Sequence, residues 1–212
     1  FVRPVLAHHD PGRFRVFAYF NNPQRDERDP AIAVRVTRRV LAGLYYARAA
    51  ALVAADDLDV LVDLAGHTGH NRLAIFARRP ARVTFTWLDY VSTTGLSTID
   101  FRITDAVADP PGAERAHSER LVRLPVPAWG WAPPARAPEV GPPPLARLGA
   151  PTFGSLNHAM KLTDATLALW RTLLASLPSA RLLAVGVPDG SARRRVTDAL
   201  AIDASRVEFA PR

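Results

Sequence analysis

Short apolar runs rich in valine and isoleucine alternate along this chain with stretches in which apolar residues recur every three or four positions. The two periods are those of a pleated strand and of one face of a helix. They predict strands at residues 15–20, 59–64, 82–87, 101–105 and 120–124, with helices at 31–44, 47–55 and 71–78 between them. After residue 151 the rhythm restarts: a strand at 152–156, a helix at 164–177 with Thr163 as its N-cap, a strand at 181–187, a helix at 191–201 and a strand at 206–210. Strands alternating with crossover helices imply parallel sheets, so the expected fold class is α/β. No internal repeat is evident.

Residues 125–151 break the pattern. They hold most of the proline clusters, including Pro133-Pro134 and Pro142-Pro143-Pro144. Proline lacks a backbone donor and fixes its own φ, so this stretch is expected to carry neither a helix nor a central strand and to run as an extended linker. Within it Trp129-Gly130-Trp131 is too apolar for a free tether and is expected to pack on a domain face. The organisation predicted is therefore a unit at 1–124, a linker at 125–151 and a second unit at 152–212. Ligands of such sheets sit at the carboxyl ends of the strands.

Composition narrows the class. A hydrophobic content of 48% with 22% charged residues is that of a globular chain able to bury a core. No apolar run is long enough to span a bilayer, and no leader pattern opens the chain. With no cysteine there are no disulfides or thiolate metal sites, which fits a cytoplasmic protein. A net charge of +7 and a pI near 10.8 point towards an anionic partner such as nucleic acid. The arginines are scattered, however, and no basic stretch is interleaved with aromatics, so a solvated surface is the plainer reading. The chain opens on Phe1 within what reads as an element and closes on what reads as a finishing strand, which suggests a fragment cut at both ends.

Of 27 basic residues only Lys161 is a lysine. It lies in Phe153-Gly-Ser-Leu-Asn157-His158-Ala-Met-Lys161, between a predicted strand and a predicted helix N-terminus, where backbone donors and the helix dipole attract anions. Lys161, His158 and Asn157 could form a diphosphate-binding turn, or an ordinary loop. Neither a Walker loop nor G-x-G-x-x-G is present. A second cluster, Asp63-Leu-Ala-Gly-His67-Thr68-Gly-His70-Asn71-Arg72, also follows a strand, and His67 and Thr68 could contact a ligand or cap the next helix. Two histidines with no nearby carboxylate do not make a metal site. Thr93, Thr94 and Gly95 follow the strand at 82–87 and could approach a sugar or phosphate, or form a surface turn. Asp105 and Asp109 are expected to cap or turn. No serine–histidine–aspartate arrangement is supported by spacing.

Taken in order, Leu6-Ala-His-His-Asp-Pro-Gly-Arg-Phe14, Asp59-Val-Leu-Val-Asp-Leu-Ala-Gly-His-Thr68, Asn71-Arg-Leu-Ala-Ile-Phe-Ala-Arg-Arg-Pro80, Trp87-Leu-Asp-Tyr90 with Thr93-Thr-Gly95, and the Lys161 loop resemble the O-GlcNAc transferase/SPINDLY glycosyltransferases, especially bacterial members. The resemblance implies a GT-B-like fold of two Rossmann-like parallel-sheet units, both incomplete. Residues 1–124 would close the N-terminal catalytic lobe, and 152–212 would open the C-terminal nucleotide-sugar lobe. It implies inverting, metal-independent transfer of a sugar to Ser/Thr hydroxyls of an acceptor protein, from UDP-N-acetylglucosamine or, in some members, GDP-fucose. No cofactor, membrane or nucleic acid is implied. Lys161, His158 and Asn157 would bind the donor diphosphate, while His67, Thr68, Thr93, Thr94 and Gly95 become candidate cleft contacts.

The family's catalytic histidine is expected upstream of Phe1, and tetratricopeptide repeats often precede the catalytic region. The fragment alone is therefore expected to be inactive. Asp89-Tyr90-Val91-Ser92-Thr93 replaces the Gly-Tyr-Pro-Gly-Thr of many relatives, which bears on the loop's shape. A non-catalytic relative that binds nucleotide sugar or a partner, and a basic nucleic-acid-binding module, stand as alternatives.

Overall fold

The structure is a computed structural model that describes residues 2–21, 36–88, 90–133 and 136–211. The chain divides into two compact units, Phe1–Ala135 and Arg136–Arg212.

In the first unit, helix α1 (Val2–His8) precedes strands β1 (Val16–Phe20) and β2 (Val36–Val40), which pair in parallel. Helix α2 (Tyr46–Ala55) leads into a four-stranded parallel sheet of β3 (Val60–Asp63), β4 (Val83–Thr86), β5 (Phe101–Asp105) and β6 (Arg120–Leu124), in that spatial order. A single helical turn, α3 (Leu73–Phe76), lies between β3 and β4. Ala49, Ala50 and Val53 of α2 lie on one helical face and are buried with Leu61, Ile75 and Phe76. That burial, rather than intrinsic propensity, holds a helix of ten residues.

Parallel register puts partners on the same face, and here it builds an unusual row. Asp63 pairs with Thr86 and Thr86 with Arg102, all three buried, at the carboxyl end of the sheet. Strands buried in a parallel sheet normally read as continuous apolar runs. The departure falls at the end where ligands of such sheets bind.

In the second unit, α4 (Pro144–Leu148) precedes β7 (Thr152–Ser155). Next come α5 (Asp164–Ser176), β8 (Arg181–Val185), α6 (Ser191–Leu200) and β9 (Val207–Ala210). The sheet order is β7-β8-β9, all parallel. Thr163 caps α5 as expected, its hydroxyl accepting from Thr166 N at 3.2 Å. Leu167, Leu174, Leu182, Val196 and Leu200 form the centre of the core.

Three expectations need correction. The predicted helix at 31–44 is not one: Val36–Val40 is strand β2, and residues 31–35 lie outside the described ones. Val-Thr-Arg-Arg-Val is β-branched at three of five positions and has a parallel partner in β1, which outweighs a weak helical period. The proline-rich stretch does hold a helical turn, because Pro144 occupies the first turn, where its missing N–H costs no hydrogen bond, and Gly149 ends it at φ 67°. Of Trp129-Gly130-Trp131, the first two are half-buried as expected, but Trp131 is 66% exposed, and the fully buried residue beside them is Ala128. Ala128 N donates to Asp105 at 2.8 Å, and Ala128 O accepts from Trp87 Nε1 at 2.8 Å.

Leu167 is fully buried at the centre of the second unit. Leu167→Ala is expected to cost about 2–5 kcal/mol of unfolding free energy, read from the midpoint of urea denaturation.

Candidate functional site

The loop after β3 is organised by its last residue. The buried Asp63 carboxylate accepts from Ala65 N at 3.2 Å and Gly66 N at 2.9 Å, and from the Thr86 hydroxyl of the next strand at 2.9 Å. Gly66 sits at φ +51° against Tyr90, where an added Cβ would lie 2.2 Å from Tyr90 Cβ. Only glycine fits there. Thr68 turns inward, donating to Ala65 O at 2.8 Å, and Asn71 braces the turn by donating to Thr68 O at 3.0 Å. His67 is exposed, with its Nε2 2.8 Å from Thr94 O and its ring edge-on to Tyr90 at 5.2 Å. Arg72 donates to Leu41 O, Leu44 O and Asn21 Oδ1, and Asn21 donates in turn to His70 O. The carboxyl ends of β1 and β3 are thereby tied together.

The loop after β4 is held by two buried ions of opposite sign. Arg102 of β5 donates to Tyr90 O at 2.9 Å and Ser92 O at 3.2 Å. Glu119, just before β6, accepts from Thr94 N at 2.7 Å, from the Thr94 hydroxyl, and from the Thr93 hydroxyl at 2.8 Å. Thr94 is only 3% exposed. Its hydroxyl points at Glu119, so as a ligand contact Thr94 has only its carbonyl to offer, and that carbonyl already bonds His67. Thr93 is likewise engaged, accepting from Ser118 N at 3.0 Å. Gly95, at φ +72°, has open space around it and stays exposed.

Behind this loop, Arg102 Nε donates to Asp109 at 3.0 Å and the Thr104 hydroxyl donates to the same carboxylate at 2.5 Å. Asp105 accepts from Val107 N and Ala108 N, the capping role its position suggested.

In the second unit β7 ends at the buried Ser155, and Leu156, Asn157 and His158 emerge exposed. His158 Nδ1 accepts from Met160 N at 3.3 Å, which places the proton of a neutral ring on Nε2 and leaves that N–H as a donor. One 3₁₀ turn, Ala159–Lys161, carries Lys161 to the threshold of α5. Arg195 donates to Leu162 O at 2.8 Å and to Asp164 at 2.5 Å, so the nearest carboxylate in sequence is already engaged. Among the described residues no carboxylate lies within ion-pair distance of Lys161. An exposed ammonium, an imidazole N–H and a capped helix N-terminus thus lie within seven residues of one another. Among the described residues no three His, Asp or Glu side chains converge as a metal site would require, and no helix is long and apolar enough to cross a membrane.

Residues 6–128 match glycosyl transferase family 41. The chain belongs to that family. It is 36% identical over its whole length to the Solanum lycopersicum protein described as "Probable UDP-N-acetylglucosamine--peptide N-acetylglucosaminyltransferase SPINDLY", covering 24% of that protein, and 35% identical to its Arabidopsis thaliana counterpart with the same coverage. A Caenorhabditis elegans UDP-N-acetylglucosamine–peptide N-acetylglucosaminyltransferase is 40% identical over 78 residues, 37% of this chain and 7% of that one. The solved K341M mutant of Thermobaculum terrenum O-GlcNAc transferase superposes on the whole chain with a TM-score of 0.89 at 34% identity, this chain covering 41% of it. The GT-B-like reading of the fold therefore holds. The chain spans about a quarter of the length of these SPINDLY proteins.

For this family 41 chain, the sequence motifs named residues of both loops but not Glu119 and Arg102, the two buried ions that hold the loop after β4. Glu119 and Arg102 carried no recognisable motif; the signal they offer is an ionisable residue in a strand or at its border, facing a loop far away in sequence. Burial opposes the Glu119 charge as the largest single influence, yet the hydrogen bonds from Thr94 and Thr93 together outweigh it and hold the carboxyl below its ordinary range. Asp109 behaves alike: burial is the largest influence, and Thr104, Arg102 and His117 together outweigh it.

A depressed carboxyl stabilises the fold above the ordinary carboxylate range, and that contribution is lost as pH falls through the depressed value. Glu119→Gln is therefore expected to lower Tm at neutral pH and to flatten its fall between roughly pH 5 and pH 2. An acid limb as steep as that of the unaltered protein would contradict the assignment.

Proposed function

We propose that this chain belongs to a protein O-glycosyltransferase that moves N-acetylglucosamine from UDP-N-acetylglucosamine to serine or threonine hydroxyls of proteins in the cytoplasm. The observation that carries the reading is the whole-chain likeness to an O-GlcNAc transferase together with family 41 membership. The Lys161 turn supplies the chemistry expected of the donor side.

In the proposed reaction the acceptor oxygen attacks the anomeric carbon and the bond to the diphosphate oxygen breaks, with inversion. The acceptor hydroxyl loses its proton to a base outside the residues assigned here. Negative charge grows on the leaving diphosphate. Lys161 would meet it as a compact point charge, His158 through its Nε2–H, Asn157 through its side-chain amide, and the N-terminus of α5 through its dipole. Such donors need no reorganisation as the charge develops, which is the largest single source of catalysis in reactions of this kind. With these groups on the diphosphate, no metal ion and no cofactor is required.

In the full-length protein Lys161→Ala is expected to reduce turnover by about two to three orders of magnitude while Tm is unchanged, because Lys161 is exposed. Sugar transfer at the unaltered rate would remove the diphosphate assignment. Saturating chelator is expected to leave turnover unchanged.

A further inference from the structure

His67 is exposed, yet its tautomer is fixed. Thr94 O is a carbonyl and can only accept, so the 2.8 Å contact requires the ring proton on His67 Nε2. In the neutral ring Nδ1 then carries an open lone pair, and among the described residues nothing hydrogen-bonds to it. The carbonyl that sets this arrangement is itself held in place. Thr94 N and the Thr94 hydroxyl both donate to Glu119, which is 4% exposed. Tyr90 meets the imidazole edge-on with an interplanar angle of 66°, and Arg102 fixes the Tyr90 carbonyl. The ring is thus oriented from two sides at the carboxyl end of β3 while its unpaired nitrogen remains open. A role as a mere strut for Thr94 accounts for little, since Glu119 already holds that residue by two hydrogen bonds.

We infer that His67 Nδ1 is a hydrogen-bond acceptor for a ligand hydroxyl, and that Glu119 is the positioning residue that keeps the ring in the accepting tautomer through Thr94. The inference rests on the glycosyl-transfer reading for the source of that hydroxyl, either the sugar nucleotide or the acceptor side chain. Both present the same chemistry, an O–H donor directed at a bare imidazole nitrogen.

Two amide replacements separate this role from a strut in the full-length protein. The amide of Gln overlies Nε2 and can still donate to Thr94 O, whereas the amide of Asn overlies Nδ1 and can still accept. His67→Gln is expected to lose about tenfold in kcat/KM, the scale of one hydrogen bond, and His67→Asn to retain most of it. The opposite ranking, or equal values, overturns the acceptor role. A rise in KM for the sugar nucleotide assigns the hydroxyl to the donor, and a rise in KM for an acceptor peptide assigns it to the acceptor.

Glu119→Ala is expected to lower kcat/KM and Glu119→Gln, which keeps an acceptor for Thr94, to restore it. Ring ¹⁵N resonances of the histidine-labelled full-length protein, assigned with the His67 variants, are expected to show His67 protonated on Nε2 in the unaltered protein and a mixture of tautomers in Glu119→Ala. Protonation on Nδ1 would overturn the inference whether or not the protein transfers sugar. Absence of transfer by the unaltered protein, with the Nε2 tautomer intact, would count against the functional reading instead.

Discussion

The first unit depends on one constraint: a parallel strand that ends in a loop leaves backbone donors and acceptors with no ladder partner, and buried ones must be satisfied by something else. Here buried ions do it. Asp63 takes the two amides of its own turn, Arg102 takes two carbonyls of the loop after β4, and Glu119 takes an amide and two hydroxyls of that same loop. Each ion reaches from one strand or strand border to a turn. Charges in such positions would be costly if unpaired, and each is instead saturated by three or more partners. The row Asp63, Thr86 and Arg102 across the sheet is the visible result, with the exposed histidine and glycine of the two loops standing on it.

The two units solve the same problem differently. In the second, the loop after β7 is exposed and short, and it ends directly in a capped helix, so water and the helix itself satisfy its backbone. Its ionisable members, His158 and Lys161, are exposed, and no buried network fixes them. An anion can therefore be met by exposed side chains and main-chain dipoles without a desolvated charge having to be stabilised first. The first unit presents a rigid edge; the second presents a charged turn.

This difference explains what could be read from the chain. Strands and helices with a strong period, such as β5, β6 and α5, were legible to within a residue because one face is buried and the pattern reports it. The Lys161 turn was legible because its chemistry is local: strand, polar loop, N-cap, all within a dozen residues. The brace on the loop after β4 was not legible, since Glu119 lies some 25 residues from the threonines it holds and only the fold brings them together. Thr93 and Thr94 looked like ligand hydroxyls for the same reason. A hydroxyl in sequence does not reveal which way it faces. Strand β2 was misread because its partner β1, not its own period, decides its state.

The arginine bias has a related explanation. Arg72 spans Leu41 O and Leu44 O, Arg102 spans Tyr90 O and Ser92 O, Arg123 spans Asp109 O and Pro110 O, and Arg206 reaches Leu174 O, Leu177 O and Ala180 O. Each uses the planar fork to close carbonyls that turns and helix ends leave open, a task the single ammonium of lysine performs poorly. Positive charge in these places follows from the need for a rigid multiple donor, so a high pI here reflects backbone bracing as much as any surface meant for a polyanion. Lys161 stands outside that set. It is exposed, and among the described residues its side chain braces no carbonyl.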